Sequence, residues 1–169
     1  INPTRTGVLD ILRLMGVNIA LSEQSSMGTE PVATLAAGSS RLRGVVVPEE
    51  LIPLAIDELP LIFALAACAE GETVITGAAE LRHKESDRIA VMAKGLRALG
   101  IAVEESADGA IIKGGRIKSG TIDSTGDHRI AMAFSVAAMV ADGPVTILDT
   151  ANVATSFPGF VSLMQGIGM

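Results

Sequence analysis

Charged residues crowd into the segment Glu80–Arg88, which reads Glu-Leu-Arg-His-Lys-Glu-Ser-Asp-Arg and directly precedes an apolar helical pattern. Lys84 and Arg88 would lie near the amino end of that helix, where the helix dipole favours anions over cations. A bound anion explains two cations at this position, because free backbone N–H groups and both side chains can contact it together. The alternative is a solvated capping segment in which Ser86 or Asp87 is the N-cap residue. The charge pattern alone leaves both interpretations open.

The same arrangement occurs again in the segment Gly126–Arg129, Gly-Asp-His-Arg, which precedes an Ala-rich helical pattern. An arginine and a titratable histidine here stand at the positive end of a helix dipole. The repetition makes one shared anion pocket as plausible as two capping segments. A shared pocket predicts that the side chains of Arg88, His128 and Arg129 converge on one concave surface. Asp57 begins another Ala-rich helical pattern. It is either an ordinary N-cap or a functional residue whose repeat position is equivalent to that of Arg129.

The helices that would position these residues belong to a repeated pattern. An amphipathic helix that ends in glycine and leads into a β-branched strand occurs at 5–19 and again at 88–103. In both copies the glycine, Gly16 or Gly100, sits where a helix C-cap favours positive φ. An Ala-rich helix, an acidic-Gly turn and a short strand form a second pattern, at 57–75 and 129–147.

The alternation of these two patterns predicts the fold class α/β (α+β). No linker rich in Pro, Gly or Ser divides the chain, so we expect a single domain over 1–169 with internal repeats. The predicted repeats lie at about 5–80 and 88–150, with a partial third unit at 155–169. Further strands are predicted at 42–47 and 110–113.

The composition of the chain indicates which classes of binding partner and which cellular compartment to expect. The formal net charge of −6 argues against nucleic acid, which favours a basic protein face. The longest nearly unbroken apolar stretch, 130–141, is shorter than the about 20 residues that a membrane-spanning helix needs. The single cysteine, Cys68, lies in an apolar run and is predicted to be a small core residue in a cytoplasmic protein. Because the chain opens with Ile1 and shows no signal peptide, we expect it to be part of a longer polypeptide.

Two stretches, Glu80–Arg88 and Asp127–Met132, together resemble the signature stretches of the 5-enolpyruvylshikimate-3-phosphate synthase family. The similarity continues through Pro144–Asp149 and Ala154–Pro158 and extends back to Asp57, so it covers nearly the whole chain. It corresponds to the carboxyl-terminal lobe of the family. The resemblance implies one lobe of the enolpyruvyl transferase fold, with repeated βαβαββ units around buried helices and an incomplete third unit. The active site of this fold lies in the cleft between two lobes.

The resemblance implies that the full-length enzyme moves the enolpyruvyl group of phosphoenolpyruvate to the 5-hydroxyl of shikimate 3-phosphate and releases phosphate, a step of aromatic amino-acid biosynthesis. Asp57 would be the base near that hydroxyl, and Glu85 would exchange a proton with the methylene carbon. The residues implied to bind phosphoenolpyruvate are Arg88, His128 and Arg129, and those implied to bind shikimate 3-phosphate are Lys84 and Asp57. The resemblance implies no metal and no cofactor. It also implies a monomeric full-length enzyme, and a lobe that is inactive without the amino-terminal lobe as its partner.

Two positions depart from the family's pattern. Glu80 stands where many members have Asn, and Thr155 stands where many have an anion-binding Lys. The sequence is similar here to the branch of the family known for tolerance of glyphosate. One alternative is the sister family that transfers enolpyruvyl to UDP-N-acetylglucosamine, which shares the fold but lacks both signature stretches. The other is a repeat-built interaction domain without enzymatic activity, in which the charged helix starts are only caps and hold no anion.

Overall fold

The computed structural model describes residues 1–167, so Gly168 and Met169 of the predicted third unit lie outside the described residues. The helices of this part of the chain are α1 (Gly7–Leu14), α2 (Ile52–Ala55), α3 (Leu59–Ala66), α4 (Arg88–Ala98), α5 (His128–Ala138), α6 (Ala151–Ser156) and α7 (Phe160–Gly166). Its strands are β1 (Ile19–Met27), β2 (Glu30–Ala37), β3 (Glu72–Ile75), β4 (Ala102–Ser106), β5 (Gly109–Lys113), β6 (Gly120–Asp123) and β7 (Val145–Leu148). This mixture of helices and strands confirms the predicted α/β class.

The strands form three small sheets. Strands β1 and β2 make an antiparallel hairpin, β3, β5 and β4 make an antiparallel sheet in that order, and β6 and β7 pair in parallel. The predicted strand at 110–113 lies within β5. The predicted strand at 42–47 is wrong as a regular element, because it pairs only through two isolated parallel bridges, Arg43 with Glu70 just before β3 and Val46 with Val74 in β3. Four residues on one side lie opposite five on the other, so an extra residue interrupts the ladder.

Strand pairing groups the elements into units whose boundaries differ from the predicted ones. Segment 42–47, helices α2 and α3, β3, α4, β4 and β5 follow one another along the chain. Strands β3, β5 and β4 form one sheet, to which 42–47 is bridged, so with 42–47 counted as a strand the order is βαβαββ. Strand β3 from the first predicted repeat pairs with β5 from the second, so the predicted division between 80 and 88 cuts through a sheet. Helix α1 with β1 and β2 matches the end of such a unit, and β6, α5 and β7 match the beginning of another.

The core lies where α3, α4 and α5 pack together, and it is built largely from Ala, Ile, Leu and Met. Gly16 (φ 95°) and Gly100 (φ 84°) end their helices in the left-handed region, as predicted. The half-buried thiol of Cys68 donates to the carbonyl of Ala64 at 3.5 Å, and burial raises the pKa of that thiol. A small core residue fits these surroundings better than a reactive thiolate. Within residues 1–167, no helix combines the length and the apolar character needed to cross a bilayer.

Helices α4 and α5 approach each other at a glycine. A Cβ added at Gly95 would lie 2.3 Å from the Cζ of Phe134, whose ring is fully buried. We expect Gly95→Ala to lower the free energy of unfolding by about 1–3 kcal/mol, because the ring has no space to move away. The gain in helix propensity, at most about 1 kcal/mol, is smaller. Urea unfolding measures the difference.

The matched control is Gly166→Ala, at the end of α7, where an added Cβ meets nothing in residues 1–167 within 4 Å. We expect this variant to be as stable as the unmodified protein or slightly more stable. Equal stability of the two variants would contradict the close packing of α4 against α5.

Candidate active site

Asp57 lies in the turn between α2 and α3, and it is not the helix cap that was one of its two predicted roles. Helix α3 begins at Leu59 and has Glu58 at its N-cap position. Within residues 1–167, neither the Glu58 nor the Asp57 side chain makes a capping hydrogen bond to this helix. The carboxylate of Asp57 faces four cationic side chains instead. Its Oδ2 lies 3.0 Å from Arg5 Nη2 and 3.7 Å from Arg129 Nη2. Its Oδ1 lies 3.6 Å from Arg88 Nη1 and 3.8 Å from Lys84 Nζ.

Arg88, the first residue of α4, is the buried centre of this cluster. Its side chain is only 1% exposed, yet it carries a full charge at pH 7. Its Nε donates to Asp127 Oδ2 at 2.8 Å, and its Nη2 donates to Glu85 Oε2 at 2.5 Å. Its Nη1 has no hydrogen-bond partner among the described residues. Because buried N–H groups are almost always paired, this donor is the clearest mark of an anion site in the structure.

Asp127 joins the amino ends of two helices. It is fully buried and caps α5, with Oδ1 accepting from the Arg129 amide at 3.0 Å. Its Oδ2 accepts from Arg88 on α4 and from Ser86 Oγ at 3.0 Å. Burial alone would raise the pKa of Asp127, but the hydrogen bond and charge of Arg88, helped by those from Ser86 and the Arg129 amide, hold that pKa below its ordinary value. The carboxylate is therefore ionised and balances the buried guanidinium.

The segment that carries Lys84 and Glu85 is fixed by a neighbouring arginine. Arg82 Nη1 donates to Asp87 at 2.7 Å, Nη2 donates to Glu105 at 3.0 Å, and Nε donates to a backbone carbonyl at 2.7 Å. Hydrogen bonds to the two carboxylates raise the pKa of Arg82. Asp87 also caps α4 through the Ala90 amide, so the capping interpretation of this segment is correct for Asp87. The caps and the charge cluster coexist, and one does not exclude the other.

Arg129 and Asp57, whose repeat positions were predicted to be equivalent, are in direct contact. Arg129 Nη1 donates to the Asp57 carbonyl at 2.9 Å, in addition to the ion pair between the side chains. Beside them a pocket of about 250 Å³ opens between α3 and α5, with Phe157 and Phe160 also in its lining. The contact forms because α3 and α5 pack side by side with their amino ends on the same side of the core.

The remaining predicted residues make fewer contacts with the charged cluster around Asp57 and Arg88. His128 is the first residue of α5 and half exposed, but no hydrogen bond or ion pair joins its imidazole to another part of residues 1–167. The structure therefore brings Arg88 and Arg129 together, while His128 stands beside them without joining the network. Glu80 pairs with Lys84, and Thr155 is exposed on α6.

Arg5 is the residue that sequence reasoning missed. It contacts Asp57 and also lies 3.4 Å from Glu58 Oε1. The sequence carries one weak signal for it: an exposed cation just before a helix, in the stretch Asn-Pro-Thr-Arg-Thr-Gly. Nothing in that pattern shows that it meets a carboxylate 52 residues away.

The cluster combines cations that can hold an anion with carboxylates that can move protons. Asp57 and Glu85 are both accessible to solvent, at 22% and 53%, so either can reach a bound molecule. Among the described residues, no group of three or more His, Cys, Asp and Glu side chains is arranged to hold a metal ion. The arrangement suits acid–base chemistry on a substrate that carries phosphate or carboxylate groups.

Comparison with known proteins places these features in one family. The family model of EPSP synthase (3-phosphoshikimate 1-carboxyvinyltransferase) matches residues 1–164. The 3-phosphoshikimate 1-carboxyvinyltransferases of Nitrosococcus oceani and Acidithiobacillus ferrooxidans are each 60% identical over the whole chain, which covers 38% and 39% of their lengths. A solved structure of EPSP synthase from Acinetobacter baumannii matches 98% of the chain with a TM-score of 0.95 and 50% identity, over 39% of that protein. The chain thus spans well under half the length of these relatives, and it belongs to the EPSP synthase family.

Proposed function

We propose that the full-length protein containing this chain transfers the enolpyruvyl group of phosphoenolpyruvate to the 5-hydroxyl of shikimate 3-phosphate and releases phosphate. The observation that carries the proposal is the unpartnered Nη1 of the buried Arg88, which faces the same space as Lys84, Arg129 and Asp57. A phosphate or carboxylate oxygen placed there would satisfy this donor. A charge-assisted hydrogen bond in so buried a position is stronger than one on an open surface.

Both carboxylates act in the addition step, and Glu85 acts again in the elimination step. In the addition step, the 5-hydroxyl oxygen bonds to C2 of phosphoenolpyruvate as its proton moves to Asp57, and the protonated form of Glu85 delivers a proton to C3. In the elimination step, the C2–O bond to phosphate breaks as C3 returns a proton to Glu85. The proton held by Asp57 leaves with the phosphate or to solvent, which restores both groups. Both groups transfer a proton to or from an atom whose charge changes in the transition state. A positioned acid or base lowers the activation barrier of such a step.

The cations bind and orient the substrates. We propose that Arg88, Arg129 and His128 hold phosphoenolpyruvate and that Lys84 contacts shikimate 3-phosphate. In the structure, Lys84 is paired with Glu80 and Arg88 with Glu85, so an incoming anion competes with these carboxylates for the same donors. Binding would then release Glu85 for proton transfer, which ties substrate arrival to the availability of the acid.

The rest of the full-length protein is part of this proposal. The chain covers 38–39% of its relatives, and the cluster faces solvent on one side, with Glu85 53% exposed. We propose that an amino-terminal lobe closes over it, excludes water and supplies further cations. A monomeric full-length enzyme acting in the cytoplasm completes the proposal.

Phosphate release from the full-length protein, from the isolated chain and from a mixture of the chain with a separately produced amino-terminal lobe tests this function. We expect turnover by the full-length protein, none by the isolated chain, and partial recovery on mixing. Circular dichroism and thermal unfolding of the isolated chain show whether it folds, so that inactivity is not mistaken for misfolding. Activity of the isolated chain would contradict the two-lobe site.

The choice of acceptor separates the alternatives. Turnover with UDP-N-acetylglucosamine in place of shikimate 3-phosphate would identify the sister activity and overturn the proposed one. A full-length protein that turns over neither acceptor, and whose thermal midpoint is unchanged by phosphoenolpyruvate, would support an interaction domain.

A further inference from the structure

The two carboxylate oxygens of Asp57 have different surroundings. Oδ2 accepts a hydrogen bond from Arg5 Nη2 at 3.0 Å, and this is the one hydrogen bond that the carboxylate receives from residues 1–167. Oδ1 accepts none from the same residues, although Lys84 Nζ and Arg88 Nη1 lie within 3.8 Å of it. One oxygen is therefore anchored, and the other faces the space in which the unpartnered Arg88 donor also lies.

The backbone that carries Arg5 is held beside the turn that carries Asp57. Arg5 ends a short 3-10 turn, Pro3–Arg5, in which the Asn2 side chain accepts from the Thr4 amide and the Arg5 amide donates to the Asn2 carbonyl. That turn packs against α2, the helix that precedes Asp57. The two segments are therefore in contact although they are distant in the sequence.

The contact between the two segments depends on a glycine. A Cβ added at Gly7 would lie 2.7 Å from the Cβ of Leu54 and 2.9 Å from the carbonyl oxygen of Leu51. Only a residue without a side chain lets α1 approach α2 this closely. The start of α1 therefore sets the distance between Arg5 and the turn that carries Asp57.

We propose that Arg5 is a positioning residue for Asp57, holding Oδ2 so that Oδ1 is the oxygen that takes the proton of the acceptor hydroxyl. The inference rests on the proposed function, in which Asp57 is the base. As the hydroxyl oxygen bonds to the enolpyruvyl carbon, its proton moves to Oδ1 and the negative charge of Asp57 is neutralised. Arg5 keeps the carboxylate from rotating, and it does not itself contact the reacting atoms.

Arg129 cannot replace Arg5 in this role. Its Nη2 is 3.7 Å from Oδ2, beyond hydrogen-bond distance, and its Nη1 is already bonded to the Asp57 carbonyl. Its guanidinium therefore fixes the backbone of Asp57, whereas Arg5 fixes the carboxylate.

Steady-state kinetics of the full-length protein with Arg5→Ala test the inference. We expect kcat to fall by about 10- to 100-fold, because a misplaced catalytic group loses that much rate. KM for both substrates should change by less than about twofold, since no substrate contact is removed. Arg5→Lys should recover part of the loss, because it keeps one charged donor. The matched control is Arg13→Ala, which removes an arginine that pairs with Asp10 on α1 and should leave the kinetics unchanged.

A double variant distinguishes positioning from an independent role. If Arg5 acts only through Asp57, then adding Arg5→Ala to Asp57→Asn should cause no further loss of kcat. Additive losses would overturn the inference, and so would a raised KM with unchanged kcat or an Arg5→Ala variant with normal kinetics. Thermal midpoints close to that of the unmodified protein exclude unfolding as the cause. An unmodified protein without phosphate release overturns the proposed function and this inference with it, whereas an active protein that is insensitive to Arg5→Ala overturns this inference alone.

Discussion

Removing either carboxylate, by Asp57→Asn or Glu85→Gln, should lower kcat of the full-length protein by about 100- to 10,000-fold with little change in KM. An amide has nearly the shape of the carboxyl group and can still accept a hydrogen bond, but it does not take up or deliver a proton at neutral pH. The loss therefore falls on the transition state. Measuring initial rates with each substrate varied in turn separates kcat from KM.

The control for these variants is Asp142→Asn. Asp142 pairs with Arg116 at 2.8 Å, beyond the carboxyl end of α5, and an 11-residue helix of about 16 Å separates it from the cluster. We expect normal kinetics from this variant. If Asp57→Asn or Glu85→Gln kept a kcat close to that of Asp142→Asn, the role assigned to that carboxylate would be wrong.

Asp127→Asn should lower the free energy of unfolding by about 3–5 kcal/mol at pH 7. The substitution leaves the charge of the buried Arg88 to be balanced by Glu85, which is 53% exposed, and by Asp57, whose Oδ1 is 3.6 Å away. It also removes a negative charge from the amino end of α5. Urea unfolding measures the loss. Asp10→Asn is the control, because it removes a solvent-exposed ion pair with Arg13 and such pairs contribute at most about 1 kcal/mol.

The pH dependence gives Asp127 a second signature. Its pKa in the folded protein is lowered, so its contribution to stability is complete above the pKa of an unfolded Asp, about 3.9, and is lost as the pH falls further, through the lowered folded value. The unmodified protein should therefore lose stability more steeply below about pH 4 than Asp127→Asn does. Parallel acid-unfolding curves for the two proteins would contradict an ionised, buried Asp127.

Local sequence signals predicted helices α1, α3, α4 and α5, but not the short helices α2 and α6. Gly16 and Gly100 mark helix ends because positive φ is a property of one residue and its neighbours. Lys84 and Arg88 indicated an anion site because the helix dipole disfavours cations at the amino end of a helix. Such signals depend on a few adjacent residues, and the structure contains them where the pattern indicated.

Long-range arrangement could not be predicted in the same way. A repeated pattern reveals its period but not where a unit begins, and only the pairing of β3 with β5 shows that the sheet crosses the predicted boundary. The contact between Arg5 and Asp57 joins residues 52 positions apart, and that between Arg129 and Asp57 joins residues 72 apart. Such contacts depend on how α1, α2 and α5 pack, which no local pattern encodes.

The unpartnered Nη1 of Arg88 also has a consequence for how the protein balances stability against activity. A buried donor without a partner destabilises the fold by about 1–3 kcal/mol. The buried Asp127 holds the guanidinium in place, so little side-chain entropy has to be lost when an anion arrives. The donor is pre-organised for the anion, and this lowers the stability of the protein without a bound anion. Its hydrogen bond forms only in the complex with the anion. Substitutions that satisfied Nη1 internally should therefore give a more heat-resistant protein that binds its anion less tightly.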